Sequence, residues 1–355
     1  MTHEFKKIIS SFQKAKQNGI QAVMATVVDI EGSSYRRPGV GMLILENGQL
    51  IGAVSGGCVE KEVLRQSQSV FTTGTAKIMT YNGRYRLGCE GILYILIEPF
   101  SISNQEIRII QENLTSRSSF EMISYYSKKE NDSGDMGSIV FFGKNEQLQF
   151  SNKFDSGILE KDTCLEYFKR EMHPCFRLII IGSEHDAVQL SIIAAATGWE
   201  VEVVNTPKNP KTTLDFPGAD KVLNQSPENL LLEKIDQQTA IVLMTHNFAQ
   251  DLLYLLAIRD TNPIYIGLLG PSRRREKLLS SFIEYFPDIT NEFLEIIHGP
   301  AGLNLGAETP EEIAISIISE ILSVVRHQKP IPLQEKEGGI HGDNYRKMIH
   351  SVAKN

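Results

Sequence analysis

The alternation of apolar strands with helical segments in the second half of the chain limits the possible folds most strongly. Residues 177–181 (RLIII) form an unbroken apolar run, and Gly182 separates this run from a helical pattern over residues 187–197. The alternation continues with apolar strands at 200–205, 239–244 and 263–269 and a helix at 249–259. Parallel strands that are buried on both faces have this composition. The pattern predicts a doubly wound parallel sheet with helices on both faces, in a domain of residues 176–330.

The first half of the chain has a different pattern, which predicts an α+β domain over residues 1–150. Apolar residues recur at helical spacing over residues 1–20, and a buried strand is predicted at 22–29. Asn47-Gly48 separates two strand-like runs, which is the composition of a tight hairpin. Further helices are predicted at 58–70 and 105–114, and further strands at 77–81, 92–98, 122–126 and 138–142.

Two polar segments border the second domain. Residues 151–175 are predicted to be a linker with one helical stretch around 157–171. Residues 331–355 are polar and are predicted to form a loose tail. The last helix of the second domain is predicted at 309–325, because Thr309 and Pro310 are suitable first residues of a helix.

Length, charge and cysteine content exclude several classes of protein. The chain has 355 residues, which fits about two domains. Its net charge of −7 disfavours a nucleic-acid binder that works by neutralising phosphates. No segment has the composition of a secretory signal or of a membrane span. The cysteines, Cys58, Cys89, Cys164 and Cys175, are too few for a disulfide scaffold, so we expect a cytoplasmic protein with reduced thiols.

The loop after residue 181 resembles a dinucleotide-binding turn only in part. Gly182 follows a strand and precedes a helix, as in Rossmann-like folds. The position at which a second glycine lets the backbone approach a pyrophosphate holds Glu184, and the second strand ends in Asn205 where an acidic residue binds the ribose. NAD(P) is therefore an unlikely ligand of this Rossmann-like domain. An NAD(P)-dependent oxidoreductase with His246 as its acid–base group stays open as the alternative function.

Two cysteines of the first domain lie in glycine-rich turns. Ser55-Gly56-Gly57-Cys58 is placed where a predicted strand leads into a helix. A helix N-terminus attracts anions and stabilises a thiolate, and the glycines let backbone N–H groups converge. Gly88-Cys89-Glu90-Gly91 precedes the strand at 92–98. Two such thiols in one pocket would suit molybdenum, sulfur transfer or zinc, although no typical zinc-ligand spacing is present. The alternative is a pair of tight turns with small core cysteines.

Other loops contain groups that bind anions. Residues 32–39 (GSSYRRPG) combine hydroxyls, backbone amides and guanidinium groups. Residues 270–275 (GPSRRR) open a helix at the carboxyl edge of the predicted parallel sheet, where ligands of such folds bind. His246, in the loop after the strand at 239–244, is a candidate base or hydrogen-bond donor. The candidate ligand-binding residues are Gly32, Ser33, Ser34, Arg36, Arg37, Ser55, Gly56, Gly57, Gly88, Gly91, Gly182, His246, Ser272 and Arg273, and Cys58 and Cys89 are the candidate reactive residues.

Together these motifs resemble the XdhC/CoxI family, the accessory factors of xanthine dehydrogenase and related molybdenum hydroxylases. The resemblance covers both predicted domains. It is carried, in order, by residues 32–39 (GSSYRRPG), 55–60 (SGGCVE), 88–91 (GCEG), 245–247 (THN), 265–274 (YIGLLGPSRR) and 298–312 (HGPAGLNLGAETPEE).

The resemblance implies an N-terminal XdhC/CoxI domain, a C-terminal Rossmann-like domain and a homodimer. It also implies that the chain binds molybdenum cofactor, protects it during sulfuration by a cysteine desulfurase and inserts it into a xanthine dehydrogenase-like hydroxylase. Cys58 and Cys89 would then lie next to the cofactor. A scaffold that only docks the desulfurase to its target is a third hypothesis.

Overall fold

The structure is a computed structural model that describes residues 2–32, 37–83, 91–129, 136–143, 146–154, 165–231 and 233–337, and the backbone of 349–351. The chain divides into two compact units. Unit 1 comprises Met1–Pro174 and Leu333–Asn355, and unit 2 comprises Cys175–Pro332. Among the helices of the described ranges, none is long and apolar enough to cross a lipid bilayer.

Unit 1 begins with an antiparallel sheet in the order β3-β2-β1-β5-β4. Its elements are α1 (Thr2–Gln17), β1 (Ala22–Glu31), β2 (Gly41–Leu45), β3 (Leu50–Gly52), α2 (Gly57–Thr73), β4 (Lys77–Asn82), β5 (Ile92–Pro99) and α3 (Asn104–Thr115). The predicted hairpin at Asn47-Gly48 joins β2 to β3, and Gly48 has a φ of 86°. Helix α1 buries Phe5, Ile8 and Phe12, the apolar side chains that its periodicity places on one face.

A second antiparallel sheet of unit 1 has the order β16-β9-β6-β7-β8. Its strands are β6 (Phe120–Tyr126), β7 (Gly137–Phe142), β8 (Glu146–Gln149), β9 (Glu166–Met172) and β16 (Ile349–Ser351). The prediction of a helix around 157–171 is wrong for residues 166–171, since these residues belong to β9, which pairs with β6. Phe168, Arg170 and Met172 are buried and alternate with exposed residues, which is the periodicity of a strand. Strand β16 pairs with β9, so residues 349–351 of the predicted loose tail are part of this sheet.

Unit 2 contains a six-stranded parallel sheet in the order β12-β11-β10-β13-β14-β15. Its elements are β10 (Arg177–Ile181), α4 (His185–Ala196), β11 (Glu200–Asn205), β12 (Lys221–Asn224), β13 (Thr239–Leu243), α5 (Phe248–Ala257), β14 (Tyr265–Leu268), α6 (Ser272–Tyr285), α7 (Asn291–Glu295), β15 (Ile297–His298) and α8 (Pro310–Val325). Numbered from β10, the strands follow the order 3-2-1-4-5-6 of dinucleotide-binding Rossmann folds.

Both faces of this parallel sheet are covered by helices. Helices α4 and α8 pack on one face, where Leu190 and Ile317 are fully buried. Helices α5, α6 and α7 cover the other face, which buries Leu255 and Phe282. The predicted fold class, an N-terminal α+β region followed by a doubly wound Rossmann-like sheet, is therefore confirmed.

Candidate functional site

The strands of the first sheet place two predicted loops at the same end of the sheet. These are residues 32–39, which we expect to bind an anion, and residues 88–91, which contain Cys89. Glu31, the last residue of β1, pairs with Ile92, the first residue of β5. Asn82, the last residue of β4, pairs with the same Ile92. The segments 32–40 and 83–91 therefore begin or end next to each other, although residues 33–36 and 84–90 lie outside the described residues.

The connection to helix α2 leaves from this end as well. Strand β3 is antiparallel to β2 and therefore parallel to β1, and its last residue, Gly52, pairs with Met42 near the start of β2. Residues 53–56 then lead directly into α2. We use the term loop end for the end of the sheet toward which β1 and β3 both run. The flanks of the loops at 32–39 and 88–91 lie side by side there, whereas β3 points toward the same end but its last residue, Gly52, is level with Ala25 rather than with Glu31.

At the loop end, the N-terminus of α2 is open and carries a free thiol. Gly56 is the N-cap residue, its φ is −83°, and no side chain of the described residues caps the helix. A Cβ atom added to Gly56 or Gly57 would have no atom of the described residues within 4 Å. Cys58 is exposed, and Ser55 is half-buried. Within the described part of the chain, the backbone N–H groups of Gly57 and Cys58 donate no hydrogen bond. The geometry is that of an anion-binding helix end with a sulfur beside it.

A cluster of charged residues holds the beginning of the 32–40 segment. The Nζ atom of Lys128 hydrogen-bonds the buried carboxylate of Asp29 and lies 3.5 Å from carboxylate oxygens of Glu31 and Glu166. Burial lowers the pKa of Lys128, but the hydrogen bond with Asp29 and the other carboxylates outweigh it and raise that pKa above its ordinary value. Lys128 is therefore charged and ties the end of β1 to the second sheet.

A β-bulge in β1 explains how Asp29 comes to face this lysine. The pairing with β5 shifts between Val27 and Asp29, so Val28 is an extra residue. Val27 packs in the core on the α2 side, whereas Val28 packs with Tyr126 on the side of the second sheet. Beyond the bulge, Asp29 also faces this second side, as its contact with Lys128 shows.

The other end of the 32–40 segment is fixed by a buried arginine. Arg170 of β9 donates a hydrogen bond to the carbonyl oxygen of Gly39, and burial lowers the pKa of Arg170 to about 10. Gly39 has a φ of 93°, and a Cβ atom there would lie 3.2 Å from the ring of Phe168. Gly32 also has a positive φ, of 83°. Arg37, the described arginine of this segment, is half-buried.

Several predicted site residues lie outside the described residues, and their placement stays a prediction. These are Ser33, Ser34, Arg36, Gly88 and Cys89. Gly91 is described; it is buried, and its carbonyl oxygen accepts a hydrogen bond of 3.0 Å from the N–H of Gly83. A shared pocket for Cys58 and Cys89 is therefore an untested prediction, supported by the common end of the sheet from which their loops leave.

In unit 2, the structure brings together the loops that follow β10 and β13. These are the strands between which the order reverses, where open α/β sheets bind ligands. A Cβ atom at Gly182 would lie 2.4 Å from the carbonyl oxygen of Met244, so this glycine is required by close packing of the two loops. The Nε2 atom of His246 lies 3.3 Å from the Oδ2 atom of Asp186, and His246 has a φ of 56°, which is rare for a residue with a side chain.

The His246 loop rests on an ion pair that the sequence reasoning missed. The Oδ1 atom of Asp251 accepts a hydrogen bond of 2.6 Å from the hydroxyl of Thr245, and its Oδ2 atom accepts one of 2.6 Å from Arg274. Asp251 is 2% exposed. The available signal was a single aspartate in the otherwise apolar helix segment FAQDLLYLLA, because a buried carboxylate in such a helix needs a partner. Ser272 and Arg273, the residues predicted instead, are exposed.

Asn205, at the end of β11, is engaged in local structure. Its amide nitrogen donates hydrogen bonds of 2.6 Å to the carbonyl oxygen of Asn209 and of 3.0 Å to the side chain of Asn224. Both amide protons therefore hold the following loop. At the N-terminus of α4, the N-cap position is taken by Glu184, and Asp186 lies in the first turn.

Comparisons with known proteins agree with this architecture. The family model described as "XdhC and CoxI family" matches residues 15–82, and the one described as "XdhC Rossmann domain" matches residues 178–321. A Bacillus subtilis protein described as a probable xanthine dehydrogenase subunit is 30% identical over 323 residues, which cover 85% of this chain and 92% of that protein. The chain belongs to the XdhC/CoxI family. The resemblance stated from the motifs is thereby confirmed.

Two further relatives of this XdhC/CoxI protein extend over nearly its whole length. The "Molybdenum cofactor insertion chaperone PaoD" of Escherichia coli is 25% identical over 335 residues, covering 93% of this chain and 91% of that protein. A crystal structure described as a xanthine dehydrogenase from Bacillus halodurans matches with a TM-score of 0.74 and 25% identity, covering 90% of this chain and 96% of that one.

Proposed function

We propose that this XdhC/CoxI protein is a chaperone that binds molybdenum cofactor, supports its sulfuration and inserts it into a xanthine dehydrogenase-type hydroxylase. The family and the name of the Escherichia coli relative support a role in cofactor insertion. In this proposal the cofactor is cargo, which is held reversibly and handed on. The proposal places the protein in the cytoplasm as a homodimer.

The observation that carries the proposal is the open N-terminus of α2. Molybdenum cofactor has an anionic phosphate tail and a metal with soft sulfur ligands. The N–H groups of Gly57 and Cys58, which donate no hydrogen bond to the described residues, offer donors to an anion, and the helix dipole favours negative charge there. Arg37 and the rest of the 32–39 segment would supply further donors, since that segment starts at the same end of the sheet.

The thiols have a protective role in this proposal. In sulfuration, a terminal oxo ligand of molybdenum leaves as water and a sulfido ligand takes its place; the sulfur would come from the persulfide of a cysteine desulfurase, with two electrons from a thiol reductant. Cys58, which is exposed beside the anion-binding N–H groups, would shield the metal during the exchange, together with Cys89. The chain then needs no catalytic turnover of its own.

Two observations in unit 2 disfavour the alternative of an NAD(P)-dependent oxidoreductase. Glu184 and Asp186 put carboxylates at the N-terminus of α4, where a pyrophosphate would bind, and Asn205 stands where a carboxylate would accept hydrogen bonds from the ribose hydroxyls. NADH titration followed by energy transfer from Trp199, the only tryptophan, tests this. We expect no saturation. A saturable signal would favour the oxidoreductase.

The decisive experiment is anaerobic purification of the protein from cells that make the cofactor. We expect roughly stoichiometric molybdenum by elemental analysis, together with pterin fluorescence after oxidation. The Cys58→Ser variant should lose most of both signals, whereas Gln68→Ala, an exposed change on the same helix far from its N-terminus, should retain them. Wild-type protein without molybdenum would refute the proposal.

The scaffold hypothesis makes a different prediction for the same protein. If the chain only docks the desulfurase to the hydroxylase, a variant in which Cys58 and Cys89 are both serine will still activate the hydroxylase. The chaperone proposal expects loss of activation. Circular dichroism of each variant shows whether the fold is retained.

A further inference from the structure

The loop that follows β15 in unit 2 is firmly attached to helix α8. The N–H of Gly302 donates a hydrogen bond of 2.8 Å to the carboxylate of Glu320. One residue later, the hydroxyl of Ser316 donates one of 2.5 Å to the carbonyl oxygen of Leu303, whose own N–H donates to the carbonyl oxygen of Ser316 at 3.2 Å. The backbone of this loop is therefore ordered before any partner binds.

The carboxylate of Glu320, which anchors the loop, is itself held by two residues of the parallel sheet. The hydroxyl of Tyr265 donates a hydrogen bond of 2.5 Å to it, and the Nδ1 atom of His298 lies 3.4 Å away. Burial raises the pKa of Glu320, but the hydrogen bonds from His298, Tyr265 and Gly302 outweigh it, so that pKa lies below its ordinary value. The carboxylate stays charged at neutral pH, and the anchor persists.

The attached loop presents a large apolar side chain to solvent. Leu305 is 57% exposed at its tip, between exposed Asn304 and Gly306. Ile315, next to the anchoring Ser316 on α8, is 49% exposed. A single exposed leucine on a surface is ordinary. Here the leucine sits on a backbone fixed at two points, so burying it in a partner would cost little loss of loop entropy.

Carboxylates follow this apolar tip along the chain, at the start of α8. Glu308, Glu311 and Glu312 are exposed where the loop enters α8, and none of them forms an ion pair among the residues that the structure describes. The pKa of Glu312 is lowered by hydrogen bonds from the N–H groups of Glu308 and Thr309, so this carboxylate is ionised. Unit 2 as a whole has 12 lysines and arginines against 20 aspartates and glutamates, a net charge of −8, whereas the rest of the chain has 24 against 23.

We call this surface, formed by Leu305, Ile315, Glu308, Glu311 and Glu312, the Leu305 patch. The negative charge of its three carboxylates determines which partner fits it. A second copy of the chain docked by a twofold axis would bring the same carboxylates face to face, and like charges at an interface repel. We propose that the Leu305 patch docks a protein with an apolar pocket bordered by lysine and arginine. Resting on the proposed function, we assign this basic surface to the hydroxylase that receives the cofactor.

The test measures binding of the full chain to the purified apo-hydroxylase from the same organism by biolayer interferometry. Leu305→Ser and Ile315→Ser should each raise Kd about tenfold or more, as expected for anchoring residues of an interface. Leu214→Ser is the matched control, because Leu214 is 91% exposed elsewhere in unit 2, and its Kd should be unchanged.

The charges of the patch have a separate readout. Glu311→Gln should lower the association rate and weaken its dependence on salt, because exposed charges act mainly through electrostatic steering. Glu284→Gln on α6, also an exposed carboxylate, should have the smaller effect of the two.

The outcomes separate this inference from the proposed function. Wild-type binding that neither Leu305→Ser nor Ile315→Ser weakens would overturn the docking surface, as would patch variants that lose binding to the desulfurase and keep binding to the hydroxylase. Molybdenum content of the purified chain is measured in parallel. Variants that carry wild-type amounts of cofactor but no longer bind the hydroxylase support the inference, while a wild-type chain without cofactor refutes the proposed function alone.

Discussion

A buried glutamate between the two sheets of unit 1 makes the stability of this protein depend on pH. Glu98 of β5 is fully buried, and its carboxylate accepts hydrogen bonds of 2.8 Å and 2.5 Å from the N–H and the hydroxyl of Ser138 in β7. Burial raises the pKa of Glu98 to about 7 from an ordinary 4.5, although the two hydrogen bonds from Ser138 act in the opposite direction.

The direction of the effect follows from proton binding. Between pH 4.5 and pH 7 the folded protein keeps the proton of Glu98, whereas the unfolded chain has lost it. The free energy of unfolding therefore falls as the pH rises through this range and levels off above it. A difference of about 2.5 pKa units, at about 1.4 kcal/mol per unit, corresponds to a loss of about 3.5 kcal/mol.

Glu98→Gln removes this dependence, because the amide is neutral at every pH and keeps an oxygen that accepts from Ser138. Relative to wild type, we expect the variant to gain about 2.5 kcal/mol of unfolding free energy between pH 5 and pH 8. Unfolding of unit 1 in urea should be monitored by hydrogen exchange of peptides from β5 and β7. Fluorescence of Trp199, the single tryptophan, is unsuitable because this residue lies in unit 2. Glu112→Gln, an exposed change, should show no such gain. A Glu98→Gln gain below about 1 kcal/mol would refute the reasoning.

Three further substitutions test other parts of the structure. Asp251→Asn breaks an ion pair of unit 2 and should lower its unfolding free energy by about 2 kcal/mol, measured by Trp199 fluorescence in urea. Tyr265→Phe removes the hydrogen bond to Glu320 and should cost about 1 kcal/mol or more in the same assay. Gly57→Ala should leave thermal stability unchanged or slightly higher, since the added Cβ meets open space, but should lower the molybdenum content of the purified protein. Unchanged stability in the first two variants, or unchanged molybdenum in the third, would contradict these expectations.

The long elements of the fold could be predicted because their sequences carry a strong periodicity. The apolar run at β10 and the amphipathic α1 are examples. Strand β9 was misassigned because its pattern, EYFKREM, mixes charged and apolar residues at a spacing that a short helix also allows. Pairing with β6, a strand about 45 positions earlier, decides its conformation. The two-residue β15 is too short to produce any pattern.

The residues of the candidate site also fall into two groups, those that a local motif reveals and those that only the fold brings together. The motif around Cys58 is contiguous, so spacing alone reveals it. Lys128 could not be found, since its partners Asp29 and Glu31 lie almost a hundred positions away and reach it only because of a bulge in β1. Likewise, the contact between Asp251 and Arg274 depends on α5 and α6 lying side by side. The sequence of α5 can show that Asp251 needs a partner, but it cannot show that the partner is Arg274.

Three glycines show that the structure distinguishes loops that look equivalent in the sequence. In the sequence, Gly39, Gly182 and Gly57 look alike, since each lies in a loop next to a predicted strand or helix. In the structure, side chains of β9 crowd Gly39 and a backbone carbonyl crowds Gly182, so the fold itself demands a glycine at both positions. Nothing in the described chain crowds Gly57, and its φ is not positive, so the fold does not require a glycine there. A glycine that the fold does not need is best explained by something that approaches the backbone from outside, which is why the N-terminus of α2 carries the functional argument.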